Sequence, residues 1–365
     1  MAPLGVAVVG CGTISDEYLR NLTAFPDVSV LFCADLDLER AKKQAAAYDV
    51  PAAGTLAQAL DHDGVELVVN LTLPSAHAEV AAAAIAAGRH VWNEKPLTTD
   101  PASGLALLQQ AERAGVRVGC APDTILGAGL QTARRLIQAG VIGTPQTGLT
   151  LMQSPGPESW HPSPEFLFQP GAGPLFDLGP YYFSALATIF GPASRVAAVG
   201  RRAAATRIIG SGPRAGTEFP VDVPTHVGAL VEYTGGAAAS LLFSFDSPLP
   251  RHGFVEITGT EGTMAVPDPN RFDGDIRIHG RGHGDWQVIP SAGASAGRGL
   301  GVLDLVRSLR AGRPHRASGE LAEHVLEVMV AVQASLAGAA FEPIDSGFVV
   351  PPPLPEEWDP YARTV

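Results

Sequence analysis

Residues 5–15 read Gly5-Val6-Ala7-Val8-Val9-Gly10-Cys11-Gly12-Thr13-Ile14-Ser15. A β-branched apolar run breaks on two glycines and continues with Tyr18, Leu19 and Leu22 at helical spacing. This is the pattern of strand, glycine turn and helix. Glycines there let the backbone bend tightly and bring N–H groups close to a pyrophosphate, which the positive end of the helix attracts. Gly10, Gly12, Thr13 and Ile14 are therefore the first cofactor candidates. Ser15 stands where the third glycine of a dinucleotide fingerprint falls, a position that governs strand–helix packing more than phosphate contact. A second apolar run, Val28 to Ala34, ends at Asp35, about twenty residues after the turn, as the motif demands. Asp35 can accept hydrogen bonds from ribose hydroxyls, and its charge would repel the 2′-phosphate of NADP. NAD is favoured, with Arg40 nearby keeping NADP as the alternative. The competing reading of Asp35 is an N-cap for a helix from about Leu38.

The same alternation continues to residue 122 and makes the N-terminal part a doubly wound parallel sheet. Thr55 to Leu60 reads as a short helix and Val65 to Leu71 as an internal strand. The strand ends in Thr72-Leu73-Pro74, with His77 just inside the next helix; this loop suits the nicotinamide ribose, and His77 reads as a cofactor-loop residue. An alanine-rich helix closes at Gly88, and His90-Val91-Trp92 leads into Glu94-Lys95-Pro96. An ammonium at a strand end is costly to bury unless it is paired or used, and the carboxyl edge of a parallel sheet is where such folds bind ligands. Lys95 is the leading catalytic candidate, weighed against a surface Glu-Lys pair. A helix from Asp100 to Ala114 and a strand from Val116 to Ala121 complete this part, and Asp123 opens an amphipathic helix reaching Gly140.

From Pro145 the period changes to short runs between Gly/Pro turns: 148–152, 195–199, 226–233, 237–245, 254–258, 263–266, 275–279 and 286–289. They predict an open, mostly antiparallel sheet interrupted by a helix from Pro174 to Ile189. Helices over 300–309 and 320–336 follow, then a proline-rich, extended tail. The expected division is a Rossmann domain over 1–123, an α+β substrate-binding and oligomerisation domain over 124–340 whose last helix packs back on the junction, and a tail over 341–365.

A formal charge of −12 argues against nucleic acid, whose phosphates would be repelled. Cys11, Cys33 and Cys120 are odd in number and far apart, so a disulfide framework is not expected and a reducing, cytoplasmic setting fits. No apolar run is read as reaching the roughly 18 residues of a membrane span, and the start lacks the basic segment of a signal peptide. Metal-binding spacings such as HExxH or CxxC are absent.

Taken together, Gly10-Cys11-Gly12-Thr13-Ile14-Ser15, Asp35, Thr72-x-Pro74 with His77, and Glu94-Lys95-Pro96 resemble the Gfo/Idh/MocA family of nicotinamide-dependent oxidoreductases. The segment Gly171 to Tyr181, with Asp177-Leu178-Gly179-Pro180-Tyr181 after a glycine turn, is similar to that family's second motif. The resemblance implies that Lys95 is the catalytic lysine, that Asp177 and Tyr181 are its partners, and that the Lys95–Pro96 peptide is cis. It also implies a homo-dimer or homo-tetramer through the C-terminal sheet. Tyr181 stands where inositol dehydrogenases carry histidine, nearer the glucose-fructose oxidoreductase and dihydrodiol dehydrogenase branch.

The chemistry expected is hydride transfer between nicotinamide and a carbinol or carbonyl of a sugar, polyol or sugar derivative, with proton transfer shared by Lys95 and Tyr181. Coupled groups share their titration, so the two roles are not separated. Asp177 would orient the lysine or bind a sugar hydroxyl. Asp123, Trp160 and His161 join Lys95, Asp177 and Tyr181 as substrate-binding candidates, Trp160 having a domain-closing role as its alternative. Two other readings stay open: a glycosidase that uses NAD transiently to oxidise C3, and a cofactor-sensing regulator without turnover.

Overall fold

The computed structural model describes residues 2–282, 284–294 and 296–364. The chain forms two compact units, one of Met1–Gln131, Ala292–Leu326 and Val350–Val365, the other of Thr132–Ser291 and Glu327–Val349. The division expected at residue 123 falls eight residues before the end of the first unit's N-terminal segment.

The first unit alternates β1 (Leu4–Val9), α1 (Thr13–Leu22), β2 (Val28–Ala34), α2 (Leu38–Ala47), β3 (Ala52–Gly54), α3 (Leu56–Leu60), β4 (Leu67–Asn70), α4 (His77–Ala86), β5 (His90–Asn93), α5 (Pro101–Ala114) and β6 (Val118–Cys120). All strands are parallel, in the order β3-β2-β1-β4-β5-β6. Neighbours reverse direction of winding at β1 and β4, and the carboxyl ends there form the crevice where doubly wound sheets bind ligands. Local chemistry sets the boundaries. Thr55 closes a capping box on α3 with Gln58, Asp100 caps α5, and Gly115 ends it in the left-handed region. Val6, Ala7, Val8, Leu67, Val68, Val69, Val91 and Trp92 are buried, as strands covered on both faces require.

In the remainder of the chain α6 (Ala128–Gln138) follows a 3-10 turn over Asp123–Leu126, so the helix expected from Asp123 starts five residues later. Then come β7 (Pro145–Gln153), α7 (Gly173–Phe190), β8 (Ala193–Arg201), β9 (Thr206–Ile208), β10 (Glu218–Pro220), β11 (His226–Tyr233), β12 (Ala238–Ser244), β13 (Arg251–Gly259), β14 (Gly262–Val266), β15 (Ile276–Gly280), β16 (Gln287–Ile289), α8 (Leu300–Arg310), α9 (Gly319–Gly338) and β17 (Glu342–Pro343). The second unit holds a nine-stranded sheet, β16-β15-β14-β13-β7-β12-β11-β8-β17, antiparallel except for β7 with β12. Its strands alternate in burial. Gly148, Thr150 and Met152 are buried, Gly148 lying against Leu186 and Phe190 of α7, while Leu149 on the opposite side is exposed. The hairpin of β9 and β10 escaped the sequence reading because Arg207 and Glu218 interrupt its apolar pattern.

Helix α8 belongs to the first unit. Gly301 packs so closely on Trp92 that a Cβ would lie 1.9 Å from the indole, and Leu300, Val302, Leu303, Leu305 and Val306 are buried. The C-terminal segment is likewise held. The Arg307 guanidinium donates to Asp27 at 2.8 Å and to the carbonyls of Asp359 at 2.9 Å and Ala362 at 2.6 Å. Over 341–364 the segment expected to be extended has one two-residue strand, β17, and no other helix or strand, and its terminus is held by Arg307.

Helix α9 corrects the sequence expectation on span length: it is 20 residues long and reaches a mean hydropathy of 1.2. It also carries Glu320, Glu323 and Glu327, and Val325, Leu326, Val328, Met329 and Val332 are buried, which is the character of a core helix.

Candidate active site

The turn after β1 is built from backbone geometry. Gly10 has φ +95°, and a Cβ there would lie 2.7 Å from the Leu71 carbonyl, so only glycine fits. Gly12 is the N-cap of α1, has no side-chain capping bond, and a Cβ on it would meet nothing within 4 Å. The first-turn N–H groups, including those of Thr13 and Ile14, therefore border open space at the positive end of a helix. A phosphate fits these donors. Ser15 is buried, with its hydroxyl donating to the Gly12 carbonyl at 2.6 Å and accepting from Gln44 Nε2 at 2.8 Å, which ties α1 to α2.

Asp35 ends β2. One carboxylate oxygen accepts from the Cys11 N–H at 2.7 Å and the other from the Asp37 N–H at 2.9 Å. Asp37, not Asp35, caps α2. A carboxylate has about four acceptor sites, so Asp35 braces the glycine turn and keeps capacity for ribose hydroxyls. Arg40 Nη1 lies 3.7 Å from it. The Cys11 thiol is pushed above the ordinary range, by its hydrogen bond with Cys33 and then by burial. Two leucines stand exposed at the ends of β2 and β4, Leu36 fully and Leu73 by 75%. Leu36 was not singled out from the sequence. Its only signal there is an apolar residue directly after the acidic one.

Beyond β4, the Thr72 hydroxyl donates to Asn70 Oδ1 at 2.6 Å, and Asn70 Nδ2 donates to Asn93 Oδ1 at 2.9 Å. Pro74 opens a 3-10 turn, and His77 is buried at the start of α4. Its Nδ1 lies 2.7 Å from the Pro96 carbonyl and its Nε2 3.1 Å from the Thr72 carbonyl. His77 is therefore a strut between the loops after β4 and β5. Burial lowers its pKa against the pull of the two carbonyls.

The Glu94-Lys95-Pro96 segment follows β5, with the Lys95–Pro96 peptide cis. Glu94 Oε1 accepts from the Tyr18 hydroxyl at 2.7 Å, Glu94 Oε2 accepts from the Lys95 N–H at 2.9 Å, and Trp92 Nε1 donates to the Tyr18 oxygen at 3.2 Å. Lys95 is half-buried. Asp123 is fully buried: its carboxylate accepts from the N–H groups of Gly299 at 2.7 Å and Gly301 at 3.2 Å, with Arg298 Nη1 at 3.4 Å. Burial raises its pKa against Arg298 and these N–H groups. It caps α8, so the substrate-binding role expected of Asp123 has no accessible carboxylate behind it.

In the second unit Asp177 and Tyr181 lie four residues apart on α7 and so share a helix face. Asp177 is half-buried and Tyr181 buried. Gly173, at φ +80°, starts the helix against Val223 and Pro224, and Gly179 lets Met329 approach to within 3.1 Å of where a Cβ would stand. Trp160, 67% exposed, stacks edge-on with His161 at 5.5 Å, and His161 with Phe166 at 5.4 Å. Their loop is held by Arg207, which pairs with Glu158 and Asp246 and donates to the carbonyls of Pro155 at 3.2 Å and Phe245 at 3.0 Å.

Residues 4–121 match the oxidoreductase family's NAD-binding Rossmann fold, and residues 130–265 match the Gfo/Idh/MocA C-terminal domain. The chain is similar to trans-1,2-dihydrobenzene-1,2-diol dehydrogenase of Mus musculus, 27% identical over 71% of this chain and 73% of that protein. Its fold is that of an NAD binding oxidoreductase from Klebsiella pneumoniae, with TM-score 0.81 at 24% identity over 95% of this chain and all of that one. It is also that of levoglucosan dehydrogenase in complex with NADH and levoglucosan, with TM-score 0.81 at 20% identity over 94% and 99% of the two chains. The glycine turn, the acidic end of β2 and the two matched domains make this chain a member of the Gfo/Idh/MocA family of NAD-binding oxidoreductases.

Proposed function

We propose that this chain interconverts a carbinol and a carbonyl on a sugar, polyol or sugar-like diol, with NAD as redox partner. The observation that carries the reading is Lys95 at the carboxyl end of β5, its N–H held by Glu94, in a domain whose glycine turn suits a dinucleotide. The substrate class is supported by the relatives' names, a dihydrobenzene diol dehydrogenase and a levoglucosan dehydrogenase.

Bound nicotinamide supplies the hydride acceptor or donor. Gly12, Thr13 and Ile14 offer N–H groups to the pyrophosphate, and Gly10 sets the turn. Asp35, with Arg40 beside it, takes the adenosine ribose, and Leu36 and Leu73 offer apolar surface to the adenine. Thr72, Pro74, Glu94 and Pro96 shape the nicotinamide side, with His77 bracing them from behind. Proton transfer at the carbinol oxygen is assigned to Lys95 and Tyr181. Asp177, one turn earlier on the same helix face, binds a neighbouring hydroxyl of the substrate. Trp160 and His161 offer a ring face and a donor to the substrate. The test is NADH or NADPH formation against a panel of inositols, aldoses, levoglucosan and cyclic diols. Turnover with NAD on at least one of them is expected, and NAD binding without turnover on any would favour a sensor.

We further propose that the chain is a homo-oligomer in a reducing, cytoplasmic setting. Leu230 pairs in register with Ala197 and Ser240, and Ser240 with Leu149, on the sheet face away from α7. Leu149, Val199 and Leu230 are exposed there, an apolar patch of the kind that marks an interface. Light scattering should give a multiple of 37.9 kDa, reduced by Leu230→Asp; a monomer at micromolar concentration would contradict this.

A further inference from the structure

Tyr18 is not part of the glycine turn and borders no open space. It is fully buried on α1, one turn beyond Ser15. Burial first, then the Glu94 charge, raises its pKa well above the ordinary phenol value, so the phenol keeps its proton and is a donor. Its acceptor is Glu94 Oε1 at 2.7 Å, and Trp92 Nε1 donates to the phenol oxygen at 3.2 Å. The second Glu94 oxygen accepts from the Lys95 N–H at 2.9 Å. Three hydrogen bonds in series thus join the indole of β5, the helix behind the glycine turn and the backbone of Lys95.

A charge-assisted O–H···O⁻ bond is stronger than a neutral one, and bonds in series polarise one another. The phenol therefore fixes where the Glu94 charge sits. That carboxylate accepts from the Lys95 N–H and so sets the entry of the lysine backbone.

We propose that Tyr18 is a positioning residue for Lys95, acting through Glu94, so that the helix offered to the pyrophosphate also places the catalytic amine. This rests on the reading of Lys95 as catalytic. Removing the phenol oxygen leaves Glu94 with one donor fewer and free to swing toward the amine, while the turn that meets the cofactor is untouched.

The chain has only three lysines, Lys42, Lys43 and Lys95, and Lys42 pairs with Glu39 on the exposed surface of α2. Trace acetylation of the cofactor-free protein across pH, read by mass spectrometry, therefore reports the Lys95 amine against Lys42 as an internal reference. Tyr18→Phe, which keeps the ring, should change the Lys95/Lys42 labelling ratio by about threefold or more, since the Glu94 charge acts on the amine. It should lower kcat by roughly tenfold and displace its pH profile, with NADH affinity kept within about twofold, as misplacement of a reacting group does. Glu94→Gln, which empties no volume, should reproduce the altered labelling ratio and the displaced pH profile, and Tyr18→Phe should add little in that background. Wild-type labelling and pH profile in both variants would overturn the proposal. Retained turnover in Lys95→Met would instead overturn the catalytic reading of Lys95, whatever the labelling shows, and would remove the role claimed for Tyr18.

Discussion

At the mouth of the parallel sheet the groups offered to a ligand are backbone N–H groups and strand-end side chains, fixed by a positive φ at Gly10 and by Asp35 accepting from Cys11. In the second unit Trp160, His161 and Phe166 stand on a loop whose shape depends on Arg207, a residue 49 positions after Glu158. The first arrangement is local: a few consecutive residues contain all of the geometry. The second is assembled from distant contacts, so loop residues can be exchanged without disturbing the sheet. The proposed cofactor turn and the proposed substrate loop are thus built by different physics in one chain.

The sharpest way to break this contrast is within the turn. Gly10→Ala meets both a left-handed backbone and the Leu71 carbonyl at 2.7 Å, and should cost about 2–4 kcal/mol of stability in thermal unfolding and abolish NADH binding. Gly12→Ala meets nothing within 4 Å and should leave stability within about 0.5 kcal/mol. It should still weaken NADH binding by tenfold or more in a fluorescence titration, because the added methyl fills the space of the pyrophosphate. Equal effects at the two glycines would show that the open space at Gly12 is not a phosphate site.

Arg207→Met removes the cation between Glu158 and Asp246. About 2 kcal/mol of stability should go with it, less than for a fully buried pair because both carboxylates touch water. The substrate KM should rise with NADH affinity unchanged. A loss of NADH binding would contradict the division of labour between backbone turn and anchored loop.

Acidification should single out the first unit. Burial lowers the pKa of His77, His90 and His315, and in each it is the largest influence. All three are neutral in both states well above 6.5, the ordinary imidazole value. As pH falls through that value the unfolded chain binds protons that the folded unit resists, so stability declines below it. Hydrogen exchange at pH 7 and pH 5 should show lost protection in β4 to β6, reduced in His315→Gln. The smallest change is expected from Leu36→Ser. It should leave unfolding unaltered and weaken NADH binding by about threefold, the scale of one partly buried leucine face.

Much of the first unit was legible because strand, glycine turn and helix obey short-range rules. Asp35 falls at the strand end that the spacing from Gly10 predicts, and the cis peptide at Lys95–Pro96 agrees with the resemblance. What escaped were residues whose partners are remote. Asp123 reads as the start of an amphipathic helix and a substrate-binding candidate, yet Gly299 and Gly301, more than 170 positions later, claim its carboxylate. Tyr18 reads as a core aromatic from helical spacing, and nothing in the order of residues announces Glu94 as its acceptor. The return of α8 to the first unit depends on Gly301 seating against Trp92, a fit between surfaces that no periodicity encodes. Helix α9 was visible as a helix, but which of its faces is buried was not.

The central claim is that a nicotinamide oxidoreductase uses the Lys95 amine in proton transfer. Its most direct test is to measure NADH affinity and NADH formation side by side for the wild-type protein and Lys95→Met on the best substrate of the panel. Lys95→Met should bind NADH within about threefold of wild type and lose at least a thousandfold in kcat, since proton transfer and placement of the carbinol fail together. Turnover by Lys95→Met within tenfold of wild type would contradict the account.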